Sequence, residues 1–125
     1  MNIFFKILCF IFFLFKTTGS FSDDTKIKIG VLAPLSGENS SIGKQVISSI
    51  RMALIDINDD KIEIYPKDTQ SDPDIALRSA LELEKLGITL VIGPVFHQNL
   101  LHLHEIESIT FLSLTNKTLD LPKNV

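Results

Sequence analysis

Residues 27–37 of this chain read IKIGVLAPLSG. Ile27, Ile29, Val31 and Leu32 mark a strand, which Ala33-Pro34 ends. A polar loop follows, Leu35-Ser36-Gly37-Glu38-Asn39-Ser40. Over residues 41–58 the apolar period becomes helical. Ile42, Val46, Ile50, Ala53 and Ile57 fall on one stripe with Ile47 and Leu54 beside it, while Lys44, Gln45, Ser48 and Arg51 take the other face. A strand, a polar loop and an amphipathic helix make half of a βαβ unit. The fold class then depends on whether the alternation continues.

It does. Residues 61–66 alternate, with Ile62 and Ile64 set against Lys61, Glu63 and Tyr65. That pattern predicts a strand wetted on one side, as at a sheet edge. A helix with clear punctuation comes next. Asp72 can cap it, Pro73 suits the first helical position, and Asp74 sits by the positive end of the dipole. Ala76, Ala80 and Leu83 predict its inner face, and Gly87 after Lys85 its stop. Residues 88–92 form an unbroken apolar strand ending at Gly93-Pro94. Leu100, Leu101, Leu103 and Ile106 predict a third, shorter helix over 98–107, and residues 110–114 a fourth strand.

Regular βαβαβαβ order implies a parallel sheet with right-handed crossovers and helices on both faces. Placing the half-wet second strand at the edge selects the strand order 2-1-3-4, a doubly wound α/β sheet. Ligands of such sheets bind at the carboxyl ends of the strands, where the order reverses. The loops there are 35–41 and 93–99, with 115–118 alongside. These loops hold the candidate ligand-binding residues Ser36 and Gly37, Phe96, His97 and Gln98, and Thr115. Asp68, at the end of the second strand, is placed to face the same cleft. A sheet of this kind has a further strand and covering helix, so residues 21–125 are expected to be the N-terminal part of a larger lobe.

Composition narrows the function. Thirteen of the first sixteen residues are apolar, and six of the nine Phe lie between Phe4 and Phe15. Lys6, the run 7–15 and the small residues Thr18-Gly19-Ser20 predict a cleavable export signal over residues 1–20, with Ser20-Phe21-Ser22 as the other cleavage option. A membrane-crossing helix needs about 20 apolar residues, and Lys6 with Lys16 confines this run to roughly half that. An uncleaved anchor starting at Ile3, with both lysines snorkelling, is the alternative. Cys9 is the only cysteine and lies inside the apolar run, so residues 21–125 hold neither a disulfide nor a thiol site. They carry 10 Lys+Arg against 15 Asp+Glu, a net charge of -5, which excludes nucleic acid as a partner.

Other chemistries fail on spacing. A phosphate loop needs four residues between its glycines and Ser or Thr after Lys. Between Gly37 and Gly43 there are five, and Gln45 follows Lys44. His97, His102 and His104 are out of phase on a helix; His102 shares a face with Glu105, but two ligands make no zinc site. Asp68, Asp72 and Asp74 lack the glycine and bidentate glutamate of a calcium loop. No glycine-framed serine and no carboxylate pair with a partner acid is present, so neither catalysis nor a cofactor is expected.

Four pieces in order carry a family resemblance: residues 27–37, Gly43 at the helix start, residues 68–73 with Ala76, Ala80 and Leu83, and Val91-Ile92-Gly93-Pro94. Together they resemble the opening of type I periplasmic solute-binding proteins, above all the leucine/isoleucine/valine-binding group of amino-acid ABC transporters. Residues 93–100 and 112–116 are also similar to the penicillin-binding protein activator lipoproteins, although the lipobox and intervening helical domain of that group are lacking. The resemblance implies a ligand, an amino acid or similar, held between two lobes and handed to a membrane permease. It implies that Ser36 and Gly37 line one wall and that Thr115 opens the fourth loop. His97 stands where the family places a small hydroxyl residue for the ligand carboxylate, and Ile42 where it often places an aromatic. His97 can itself pair with a carboxylate, more strongly when protonated.

Overall fold

The computed structural model describes residues 25–115, 117 and 123–125; the export segment expected over residues 1–20 lies outside them. The elements are β1 (Ile27–Ala33), α1 (Ser40–Ile57), β2 (Ile62–Asp68), α2 (Pro73–Lys85), β3 (Leu90–Ile92) and β4 (Thr110–Leu112). Every strand pairing is parallel and the order is β2-β1-β3-β4, as the alternation predicts. The order reverses between β1 and β3, so the loops leaving those two strands diverge to opposite sides of the sheet.

Strand β1 is central, and Val31, Leu32 and Ala33 are fully buried. Strand β2 is the edge: none of its residues is fully buried. It runs to Asp68, two residues beyond the alternating stretch, through Pro66, which pairs with Val31. An edge tolerates a proline because the missing N–H can be the one on the unpaired side.

Helix α2 begins as its punctuation predicts. The Asp72 carboxylate accepts from the Asp74 and Ile75 amides, both at 2.9 Å, and Pro73 occupies the first turn. Gly87, at φ +74°, ends it, donating to the Glu84 carbonyl while Ile88 donates to that of Leu83. Ala76, Ala80 and Leu83 are fully buried on the sheet. They join Leu32, Val91, Phe111, Ile88, Leu100, Leu103, Ile106 and Ile109 in the core. At about 25 cal/mol per Å² of apolar surface removed from water, this side of the sheet holds most of the hydrophobic stabilisation.

Two expectations need correction. The stripe of α1 that faces inward is Gly43, Val46, Ile47, Ile50 and Leu54, leaving Ile42, Ala53 and Ile57 exposed. The cause is Gly43: a Cβ there would meet the Pro34 carbonyl, so the helix seats on the β1 loop at its glycine and the stripe turns with it. Further along, Ile47, Ile50 and Leu54 lie over Ile64 and Pro66 of β2. The predicted helix over 98–107 is instead two 3-10 turns, His97–Leu100 and Leu103–Glu105. Leu100, Leu103 and Ile106 are spaced by three, the 3-10 period, and all are buried, whereas Leu101 is exposed. On the α1 side, no element among the described residues covers the β3–β4 half of the sheet, where Leu90 and Leu112 are exposed. The edge beyond β4 is met by Asn124, whose carbonyl accepts from the Phe111 amide. Its side-chain amide donates to the Leu103 and Ile106 carbonyls at 3.0 and 2.8 Å.

Candidate functional site

The four loops at the carboxyl ends of the strands are cross-braced. At the end of β2, one oxygen of Asp68 accepts from the amides of Leu35 (2.8 Å), Ser36 (3.3 Å) and Gln70 (2.9 Å). Burial pushes its carboxyl pKa up, but the Ser36 hydroxyl and the Gln70, Leu35 and Ser36 amides outweigh this and hold it below its ordinary value. Asp68 thus faces the cleft end of the sheet, with one oxygen committed to shaping the β1 loop. That loop turns at Gly37, where φ is +76°, a conformation that favours glycine.

The β2 loop is unusual in placing two successive non-glycine residues, Gln70 (φ 50°) and Ser71 (φ 61°), in the left-handed region. Ser71 is the brace point. Its hydroxyl accepts from the Asn39 side-chain amide at 3.0 Å, and its carbonyl from that of Gln98 at 3.0 Å. One residue therefore ties the β1 loop to the β3 loop. The β3 loop is fixed in turn to the β4 loop, because Leu114 donates to the Pro94 carbonyl at 3.0 Å. At the start of the β3 loop, Gly93 (φ +107°) lies against the Leu32 carbonyl, where a Cβ would collide.

Between the β3 and β4 loops is a recess of about 230 Å³ lined by Val95, Phe96, His97, Gln98, Thr115 and Lys117. Four predicted residues, Phe96, His97, Gln98 and Thr115, are brought together here. Ser36 and Gly37 do not line this recess; they belong to the wall formed by the β1 loop, joined to it through Asp68 and Ser71. The Gln98 amide nitrogen is spent on Ser71. The His97 Nδ1 is buried and has no partner among the described residues. The Thr115 hydroxyl oxygen accepts from the Lys117 amide at 3.3 Å.

Sequence reasoning did not single out Lys117 or Ser71. Lys117 carries no signal beyond lying two residues after Thr115. For Ser71 nothing local could have served, since left-handed positions favour Gly, Asn and Asp over Ser. The remaining histidines lie elsewhere. The His102 ring is 3.9 Å from Asp74 and 4.0 Å from Glu105, and His104 Nδ1 is 2.9 Å from the Leu101 carbonyl. A wider recess of about 520 Å³, lined by His104, Glu107, Thr110, Lys123 and Asn124, includes the start of β4 and so lies away from the reversal point.

A doubly wound parallel sheet whose loops gather at the carboxyl ends of its strands, with a recess between the β3 and β4 loops, is the architecture of an α/β ligand-binding lobe. The chain belongs to the periplasmic binding protein family, a family of binding proteins, which matches residues 26–107. It is 33% identical over 87 residues to an uncharacterised protein of Methanocaldococcus jannaschii, covering 63% of this chain and 21% of that one. The fold is also that of the leucine binding protein LivK from Thermotoga maritima (TM-score 0.67, 23% identity, 73% of this chain and 28% of that one). An ABC-transporter solute binding protein from Rhodopseudomonas palustris, solved with 3,4-dihydroxybenzoic acid, gives TM-score 0.68 at 25% identity, with 74% and 28% covered. The C-domain of LpoA from Haemophilus influenzae, a regulator of PBP1A, gives 0.58 at 24%, with 69% and 27% covered. The chain spans about a fifth to just over a quarter of the length of these relatives.

Proposed function

We propose that this chain forms the opening part of the first lobe of an extracytoplasmic solute-binding protein serving an ABC importer. Residues 1–20 act as its cleavable export signal, and residues 21–125 begin the lobe. Its ligand is an amino acid or a similar small molecule, and its protein partner is the importer's membrane permease. It has no catalytic role and needs no cofactor or nucleic acid. The observation that carries this reading is the recess between the β3 and β4 loops, held in place by the Gln98–Ser71 and Leu114–Pro94 hydrogen bonds. A binding wall must be fixed before the ligand arrives, because disordered loops would spend binding free energy on being ordered.

A second reading is a regulator of cell-wall synthesis, which the likeness to LpoA favours. One experiment separates them. Cells with and without the gene are compared for uptake of labelled amino acids and small organic acids, and for peptidoglycan cross-linking. Loss of uptake of one solute supports the importer reading. Normal uptake with altered cross-linking supports the regulator. No change in either overturns both.

A further inference from the structure

Among the described residues, the buried side-chain atoms without a hydrogen-bond partner are Thr69 Oγ1, His97 Nδ1 and both polar atoms of the Asn99 amide. His97 belongs to the recess above. Thr69 and Asn99 do not line it, and they are 0% and 1% exposed. Buried polar atoms left so are costly unless something meets them. Thirty residues apart in sequence, the two are neighbours in the fold. Thr69 continues β2 by one residue, its amide donating to the Ala33 carbonyl at 2.9 Å. Alternation along β2 puts its side chain on the face of Lys67, whose ammonium pairs with Glu82 of α2 at 2.6 Å. Asn99 lies in the 3-10 turn His97–Leu100, which packs on α2. The residue before it, Gln98, donates to the carbonyl of Ser71, two residues after Thr69. Both side chains are thus enclosed by the β2 loop, the β3 loop and α2.

We propose that Thr69 and Asn99 together hold an ordered water molecule between the β2 and β3 loops, a site separate from the recess and independent of the importer reading. The chemistry of the pair selects this ligand. A hydroxyl and a primary amide are neutral, and each offers both a donor and an acceptor. A cation would leave their donors unmet and an anion their acceptors, whereas water is donor and acceptor at once. Burial this complete admits nothing larger. A water here accepts from Asn99 Nδ2 and donates to Asn99 Oδ1 and Thr69 Oγ1, about three bonds being usual for a buried water. It adds a second tie between the two loops beside the direct Gln98–Ser71 bond. Removing either partner should therefore release the water and lose the same tie.

The test uses the full chain, held in solution by a mild non-ionic detergent, and has two arms. Nuclear magnetic resonance should show cross-peaks from water to the Asn99 side-chain amide protons, of the sign given by a bound rather than a passing water. Thermal melts then compare Thr69→Val and Asn99→Leu, which keep the branched shapes and remove the polar atoms, with the double variant. Each single change should lower the melting midpoint by about 5 °C, the shift expected for one buried hydrogen bond in a domain of this size. The double variant should lose little more than the worse single one, because both partners share one water. Three results would each overturn the inference: no bound-water cross-peak on Asn99, a midpoint raised or unchanged in T69V, or losses that add fully in the double variant. Should N99L fail to fold, the cross-peaks and the T69V melt still decide it.

Discussion

A single carboxylate oxygen sets the shape of the β1 loop. Asp68 receives the Leu35, Ser36 and Gln70 amides at once, and its pKa is lowered because those donors outweigh the burial that opposes them. A lowered native pKa means stability present above the unfolded carboxyl value of about 3.9 and lost as pH falls below it, through the native value. Asp68→Ala should therefore destabilise the fold by about 2 kcal/mol at pH 7, since charged hydrogen bonds are lost and amides are stranded. The difference from wild type should narrow in acid melts below about pH 4. Equal destabilisation at pH 7 and pH 3 would contradict the charge-based account. Asp68 was legible in the sequence as a residue at the cleft end of a strand. Its three amide partners were not, because they come from chain 33 and 32 residues away and from a left-handed turn at Gln70 that no local residue preference announces.

Helix α1 shows how far a hydrophobic pattern carries and where it stops. Its existence and limits follow from the period, yet the stripe facing the sheet is the neighbour of the one predicted. The pattern of α1 is apolar over more than half its circumference, so it does not by itself fix the rotation. Gly43 does, through contact with Pro34, and a contact between backbones is invisible to side-chain periodicity. Gly43→Ala is accordingly expected to cost about 3 kcal/mol, an overpacked contact against a carbonyl that cannot rotate away. Ile55→Lys, at a side chain 75% exposed, should stay within about 0.5 kcal/mol of wild type. Denaturant melts of the two variants test the seating directly. A harmless G43A together with a costly I55K would mean that the helix faces the other way. The 3-10 turns teach the complementary lesson. Their spacing of three was present in the sequence as Leu100, Leu103 and Ile106, but Leu101 completed a plausible α-helical set and hid it.

At the scale of the molecule, the limit on affinity is that the described recess has one side. Micromolar binding corresponds to about -8.2 kcal/mol. For a ligand of about nine heavy atoms that is about 0.9 kcal/mol per atom, approaching the 1.5 reached only by the best very small ligands. Such efficiency needs a site that surrounds the ligand and expels water, as two lobes closing about a hinge would do. The recess here is bounded by the β3 and β4 loops, and Gln98, Thr115 and Lys117 are not buried in it. A charged ligand group there would still meet water on its outer side, where an ion pair is worth at most about 1 kcal/mol. The 125-residue chain should therefore bind its ligand in the millimolar range, about -4.1 kcal/mol, and titration calorimetry at micromolar protein should register no saturable heat. A micromolar isotherm from this chain alone would mean that a single wall suffices. The requirement for a second closing surface, on which the importer reading depends for its affinity, would then be gone.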